Sequence, residues 1–391
     1  EAETHTWAFQ LSALDQRIAG AKQVAEANRS SFLALDRVAG LYLERARFTG
    51  DYDDYAQAES FIDRAFTVNE TGFGPFMTRA RLDYTLHRMD RVDADFAEAQ
   101  TTIVDDEVRS GFALFAANIA LQRGRYAEAL AGYEASLALE RNAGNLPALA
   151  FYRWGTGDVA AADALYVEAL AAYHGKSLEP PAWMHLQRGL MDLSRGAYDE
   201  ALAHYREAES FLRGYWLVDE HVAEILTLTG KTEEAKALYL DVIARTNNPE
   251  FMDAMAGILL AEGKSAEGRE YVARARERYE QLMARYPEAA YGHALAHYLE
   301  FGDDAAFVVE LAEKNHALRP NVDAKVLLAR AYLQAERTDD AKRVIGEALA
   351  TPWTTADLHA TAAKVFRAAG DATRADEQLA TARAIDPHAS E

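Results

Sequence analysis

The stretch GRYAEALAGY, residues 124–133, opens on glycine, carries alanine five residues on and closes on tyrosine nine residues on. The same frame returns in GDVAAADALY (157–166), GAYDEALAHY (196–205) and GKTEEAKALY (230–239). Carried forward, the register places turns at Gly124, Gly157, Gly196, Gly230, Gly263, Asp303, Glu336 and Gly370, with spacings of 33, 39, 34, 33, 40, 33 and 34. Seven residues before each turn stand Ala117, Ala150, Gly189, Ala223, Ala256, Ala296, Ala329 and Ala363. A small residue recurring at one place lets two helix backbones cross closely. Glycine at the turn supplies the left-handed residue that ends a helix. The repeating unit is therefore an antiparallel helix pair, and a chain of such pairs is one solenoid.

The pattern resembles the tetratricopeptide repeat family, with its period of about 34 residues, small crossing residues, recurrent Tyr or Phe and closing Pro. Pro320 and Pro387 occupy the closing position of two units, and Trp353 replaces it in the unit between. The resemblance covers residues 30–388 and implies an all-α, right-handed superhelix of about ten helix pairs. Its implied use is the capture of protein segments in the concave groove formed by the first helices.

Outward from this core, residues 30–107 form atypical units and residues 108–391 regular ones. LDRVAGLYLERA (35–46) and RARLDYTLHRMD (79–90) read as first helices, and TGDYDDYAQAE (49–59) as an overlong loop. Trp7, Leu11, Leu14, Ile18 and Ala21 fall at helical spacing, so the segment 1–29 supplies an amphipathic capping helix over 6–27. Two units are stretched. One carries GKSLEPPA (175–182), whose prolines stop a helix, and the other a second helix lengthened over 267–288. The final helix, 371–385, has no further polar helix over it, which points to capping by a partner or a second copy.

The chain holds 41 basic and 62 acidic residues, a formal charge of −21. Such a field repels phosphate backbones and favours basic partners or metal cations. The absence of cysteine removes disulfides, thiolate metal sites and cysteine nucleophiles. GTGDVA (155–160) follows a helical segment rather than a strand, and GKS (263–265) lacks the spaced glycine of a phosphate loop. DYDD (51–54) lacks the alternation of a calcium loop. Paired acids such as Asp303/Asp304 suit helix starts. No catalytic constellation emerges, and we expect a protein that is not an enzyme.

Counting back 13, 10, 6 and 3 residues from each turn gives the groove-facing positions that the resemblance implies. They assemble an aromatic and apolar patch from Phe151, Trp154, Trp183, Leu186 and Leu190. Beside it lies an acidic stretch of Glu220, Glu224, Glu250 and Asp253, and Arg330 begins to neutralise the next unit. This suits a peptide with apolar anchors and adjacent Lys or Arg. It does not suit the chaperone-binding members, which clamp a carboxylate with basic residues. In YGHALAHYLE (291–300), His293, His297 and Glu300 share a helix face at metal-ligand spacing. They are the candidate ligands for Zn²⁺, Cu²⁺ or Ni²⁺, whereas His185 and His221 read as packing or rim residues.

Three functions follow from these features. The first is a non-catalytic scaffold holding a basic or amphipathic segment. The second is periplasmic metal binding or metallochaperone work through His293, His297 and Glu300. The third is a structural subunit of a bacterial envelope or secretion assembly, with oligomers formed through the last repeat. A start at Glu1, the lack of cysteine and an acidic, alanine-rich composition lead us to expect an extracytoplasmic location, with the cytoplasm as alternative.

Overall fold

A computed structural model describes residues 4–69, 74–101 and 105–391. Among them are 21 α-helices and no strand. Helix α1 (Trp7–Ala27) packs on α2 (Phe32–Thr49), and the remaining helices form ten antiparallel pairs. The pairs run α2 with α3 (Tyr52–Val68), α4 (Phe76–Thr85) with α5 (Met89–Gln100), α6 (Asp106–Gln122) with α7 (Tyr126–Leu139), and α8 (Leu146–Gly155) with α9 (Val159–Ala172). Next come α10 (Glu179–Leu193) with α11 (Tyr198–Phe211), α12 (Trp216–Leu228) with α13 (Thr232–Thr246), and α14 (Pro249–Ala261) with α15 (Ser265–Arg285). The series closes with α16 (Pro287–Phe301) and α17 (Ala305–Leu318), α18 (Val322–Gln334) and α19 (Thr338–Leu349), and α20 (Ala356–Ala368) and α21 (Ala372–Ile385). No helix of the described residues is long and apolar enough to cross a membrane.

The repeat chemistry acts where the spacing places it. Gly124, Gly157, Gly196, Gly230, Gly263 and Gly370 all adopt positive φ at their turns, and Glu336 does so at φ 58. Ala117, Ala150, Ala223, Ala256, Ala329 and Ala363 are buried at the crossings. Each of the tyrosines Tyr133, Tyr166, Tyr205 and Tyr239 is buried on the second helix. Packing also runs from one first helix to the next, α14 on α16, α16 on α18 and α18 on α20. That contact belongs to the inner side of a curve, so the first helices line the interior.

Two local expectations are corrected. The segment 49–59 is not an overlong loop. Gly50 turns the chain at φ 72, and α3 begins at Tyr52 with Asp51 capping it, so DYDD is a helix start. The register of α16 also lies one residue earlier than a turn at Asp303 requires. Its buried face is Ala290, Ala294, Leu295, His297 and Tyr298, while Ala296 is exposed. No residue of that turn has positive φ, and Gly302 is extended at φ −81, ψ 148. Without the left-handed residue the turn takes one more residue, and the face of α16 rotates accordingly.

The winding brings successive superhelical turns into direct contact. His87 Nδ1 lies 3.3 Å from the Glu288 carbonyl oxygen, 201 residues away. Asn321 Nδ2 donates to Gln122 Oε1 at 3.2 Å, and the Val322 N–H donates to the Tyr126 hydroxyl at 2.8 Å. The Thr354 N–H donates to the Gly155 carbonyl at 2.8 Å. Trp353 packs against Tyr126, Phe151 and Tyr152 with ring centroids 5.4–6.0 Å apart. In this seam, the turn inside one pair meets the loop that precedes the sixth pair after it. A methyl at Gly155 would lie 2.0 Å from the Trp353 indole, and one at Gly124 would lie 2.6 Å from the Pro320 carbonyl. Gly124 therefore serves both the turn and the close approach of the next coil, and Gly155 the close approach.

Both chain ends join the seam. Trp7 and Trp216 donate their indole N–H groups to the same Phe48 carbonyl, at 3.1 and 3.0 Å. The His388 ring stacks on Tyr198 at 5.1 Å. The chain end is thus received by an earlier coil, although α21 itself buries only Ala375 and Ala382.

Candidate functional site

The inner helices α6, α8 and α10 enclose a cavity of about 510 Å³, lined among others by Leu114, Pro147, Phe151, Trp183, Asn118 and Gln122. Apolar walls with a few amides and the Arg47–Glu179 ion pair at one side give a cleft that accepts a hydrophobic side chain and orients it by polar contacts. Phe151 is exposed and meets the Trp154 ring edge-on at 5.8 Å. Trp154 donates its indole N–H to Ser194 Oγ at 3.2 Å and lines a neighbouring cleft rather than this cavity. Leu186 is fully buried, a core residue instead of a groove residue, because α11 covers its side of α10. Leu190 is half-buried against the same core.

The acidic wall follows on the next inner helices, α12, α14 and α16. Glu220 and Glu224, one helical turn apart on α12, share His221 between them. The His221 Nδ1 stands 3.1 Å from Oε2 of each. Burial pushes the Glu220 carboxyl up to about 7, aided by Glu224 and Glu250 and opposed by His221. Burial alone would depress the His221 imidazole, but the carboxylates outweigh it and hold the group above its ordinary value. His221 is thus central to the wall and not a rim residue. Its side was misjudged because the count from Gly230 places Glu220 and Glu224 inward and passes over the residue between them.

Glu250 on α14 pairs with His293 on α16. The Glu250 charge raises the imidazole, and against the cost of burial His293 keeps the carboxylate below its usual range. About half of each side chain meets water. His297 is different. Its side chain is fully buried, Nδ1 bonds Asp253 at 2.8 Å, and Nε2 has no partner among rings of Tyr279, Tyr298 and Phe301. Glu300 is exposed at the far end of the helix. The structure therefore separates His293, His297 and Glu300 into three environments, the direct result of the register of α16. Among the described residues, the group whose ligand atoms converge, all within 4.8 Å, is Glu220, His221 and Glu224.

Asp253 and Arg330 are committed to the scaffold. Asp253 holds His297, and Arg330 donates to Thr361 at 3.1 Å and pairs with Asp357. Glu220, Glu224 and Glu250 have histidines as their ion-pair partners, and among the described residues no Lys or Arg pairs with them.

No protein-family model matches the chain, and no curated protein does. Solved structures do resemble it. Yeast Tom70 is 16% identical, with 96% of this chain and 88% of that one covered at a TM-score of 0.47. A tetratricopeptide repeat protein from Parabacteroides merdae is also 16% identical, covering 62% and 93% at 0.38. A human IFIT1 dimer with m7Gppp-AAAA is 12% identical, covering 90% and 89% at 0.44. The fold is a tetratricopeptide-type superhelix. Its ten antiparallel helix pairs, seven of them turned at a positive-φ glycine, and its inward first helices carry that statement from this chain's own geometry.

Proposed function

We propose that this protein is a non-catalytic scaffold that holds an extended or helical segment of a protein partner inside its superhelix. An apolar or aromatic side chain of the segment enters the cavity beside Phe151 and Trp183. Its Lys or Arg side chains meet Glu220, Glu224 and Glu250 on the adjoining helices. The observation that carries this reading is the succession along the inner helices of that cavity, on α6 to α10, and of three carboxylates left without Lys or Arg, on α12 and α14. Carboxylates held in a protein interior gain from a cation brought to them, since a charged pair there is screened less than at a surface.

Of the sequence-derived acidic contacts, Glu220, Glu224 and Glu250 stay in this reading and Asp253 leaves it, because Asp253 serves His297. The test is to pan a random dodecapeptide library against the whole chain. Enrichment of peptides combining Lys or Arg with an aromatic or aliphatic residue supports the reading. Enrichment of acidic peptides, or none at all, refutes it.

A further inference from the structure

We propose that Glu220, His221 and Glu224 form a site for one divalent cation of the zinc class, with two carboxylate oxygens and the His221 Nδ1 as ligands. Two ligands held about 2.1 Å from a tetrahedral ion stand about 3.4 Å apart. The two Nδ1 to Oε2 separations of 3.1 Å are already close to that edge. The third pair closes within 4.8 Å, so a small swing of one glutamate completes a three-ligand face. The three residues lie on a single helix, α12, at positions i, i+1 and i+4, and no change of fold is needed to bring them together.

The surroundings point the same way. The Tyr205 ring stacks on His221 with centroids 6.1 Å apart and fixes the imidazole plane. Tyr205 is fully buried, its hydroxyl has no hydrogen-bond partner, and the charges that bear most on it are Glu224 and Glu220. A three-ligand zinc site keeps its fourth position for water, and the unpartnered hydroxyl of the ring that stacks on His221 is a group such a water could serve. A dication also offsets the carboxylates, to which no Lys or Arg of the described residues is paired. One imidazole with two carboxylates suits Zn²⁺, whereas Mg²⁺ and Ca²⁺ take shells built from oxygen alone.

The site does not rest on the partner segment, although the two ligands draw on the same glutamates. It also differs from the His293, His297 and Glu300 set that the spacing suggests. Calorimetric titration of the metal-stripped whole chain with Zn²⁺ tests it, with Mg²⁺ as control. The expected result is one Zn²⁺ per chain and no heat with Mg²⁺. Glu224→Gln, at a half-exposed position that does not threaten folding, lowers affinity at least tenfold, and His221→Ala abolishes binding with unchanged helical circular dichroism. His293→Ala leaves the affinity within threefold. Absence of stoichiometric Zn²⁺ binding overturns the assignment, as does binding that survives Glu224→Gln and His221→Ala or is lost in His293→Ala.

Discussion

Replacing Trp353 with Ala removes a large apolar group, on the loop before α20, that joins the two coils. The indole is 7% exposed and lies over Gly155, against Tyr126, Phe151 and Tyr152. An aromatic side chain buries about 150–250 Å², which at about 25 cal/mol per Å² is about 4–6 kcal/mol as an upper bound. Buried Trp→Ala changes cost about 3–5 kcal/mol in practice. Even 3 kcal/mol shifts an open-to-closed equilibrium of the seam by more than a hundredfold. Each pair keeps its neighbours in a solenoid, so local helix content survives while the coils separate. The variant should therefore show native circular dichroism, a larger radius of gyration by small-angle scattering, and faster hydrogen exchange in α20 and α21. Scattering and exchange identical to wild type would refute the view that Trp353 holds the coils together.

Gly124→Ala tests the same seam from the other side: it strains a φ of 67° and drives a methyl to 2.6 Å from the Pro320 carbonyl. A loss of about 1–3 kcal/mol in urea unfolding is expected. Asp253→Ala leaves both nitrogens of buried His297 unpartnered, and the expected loss is about 1–3 kcal/mol by the same assay. The His293–Glu250 pair should stabilise the fold most between about pH 4.5 and pH 6.5. The raised His293 contributes fully below its ordinary 6.5 and is lost as pH rises through its folded value. The lowered Glu250 contributes above its ordinary 4.5 and is lost as pH falls through its folded value. The stability difference between wild type and His293→Gln, measured by urea titration, should be larger at pH 5.5 than at pH 8.5.

The helix pairs were legible because their signals are local. Gly124, Ala129 and Tyr133 each act within one unit, and so does the Thr6 cap of α1, whereas Pro180 and Pro181, read as stopping a helix, stand in the first turn of α10. Reading α16 failed by one residue because Asp303 was counted as a turn residue equivalent to glycine. The structure instead uses an extended Gly302, which turns His297 into the core. His221 was hidden by a count that follows every third or fourth residue, since its ring reaches Glu220 and Glu224 from the neighbouring position. The seam was not legible at all. Trp353 meets Gly155, and Tyr126 meets Val322, across about two hundred residues, and these contacts depend on the summed rotation of six units. No single spacing records that sum, although a Trp standing where two neighbouring units carry Pro marks one of its contact points.

The partner reading turns on whether the acidic wall reads positive charge. The decisive measurement is the affinity of one enriched basic peptide for wild-type protein and for Glu224→Lys/Glu250→Lys, repeated with that peptide's Lys residues changed to Glu. The account predicts at least a hundredfold loss for the basic peptide on the charge-reversed protein, and recovery when the peptide's charges are reversed too. Equal affinity for both proteins would contradict it, and so would a loss that the reversed peptide fails to recover.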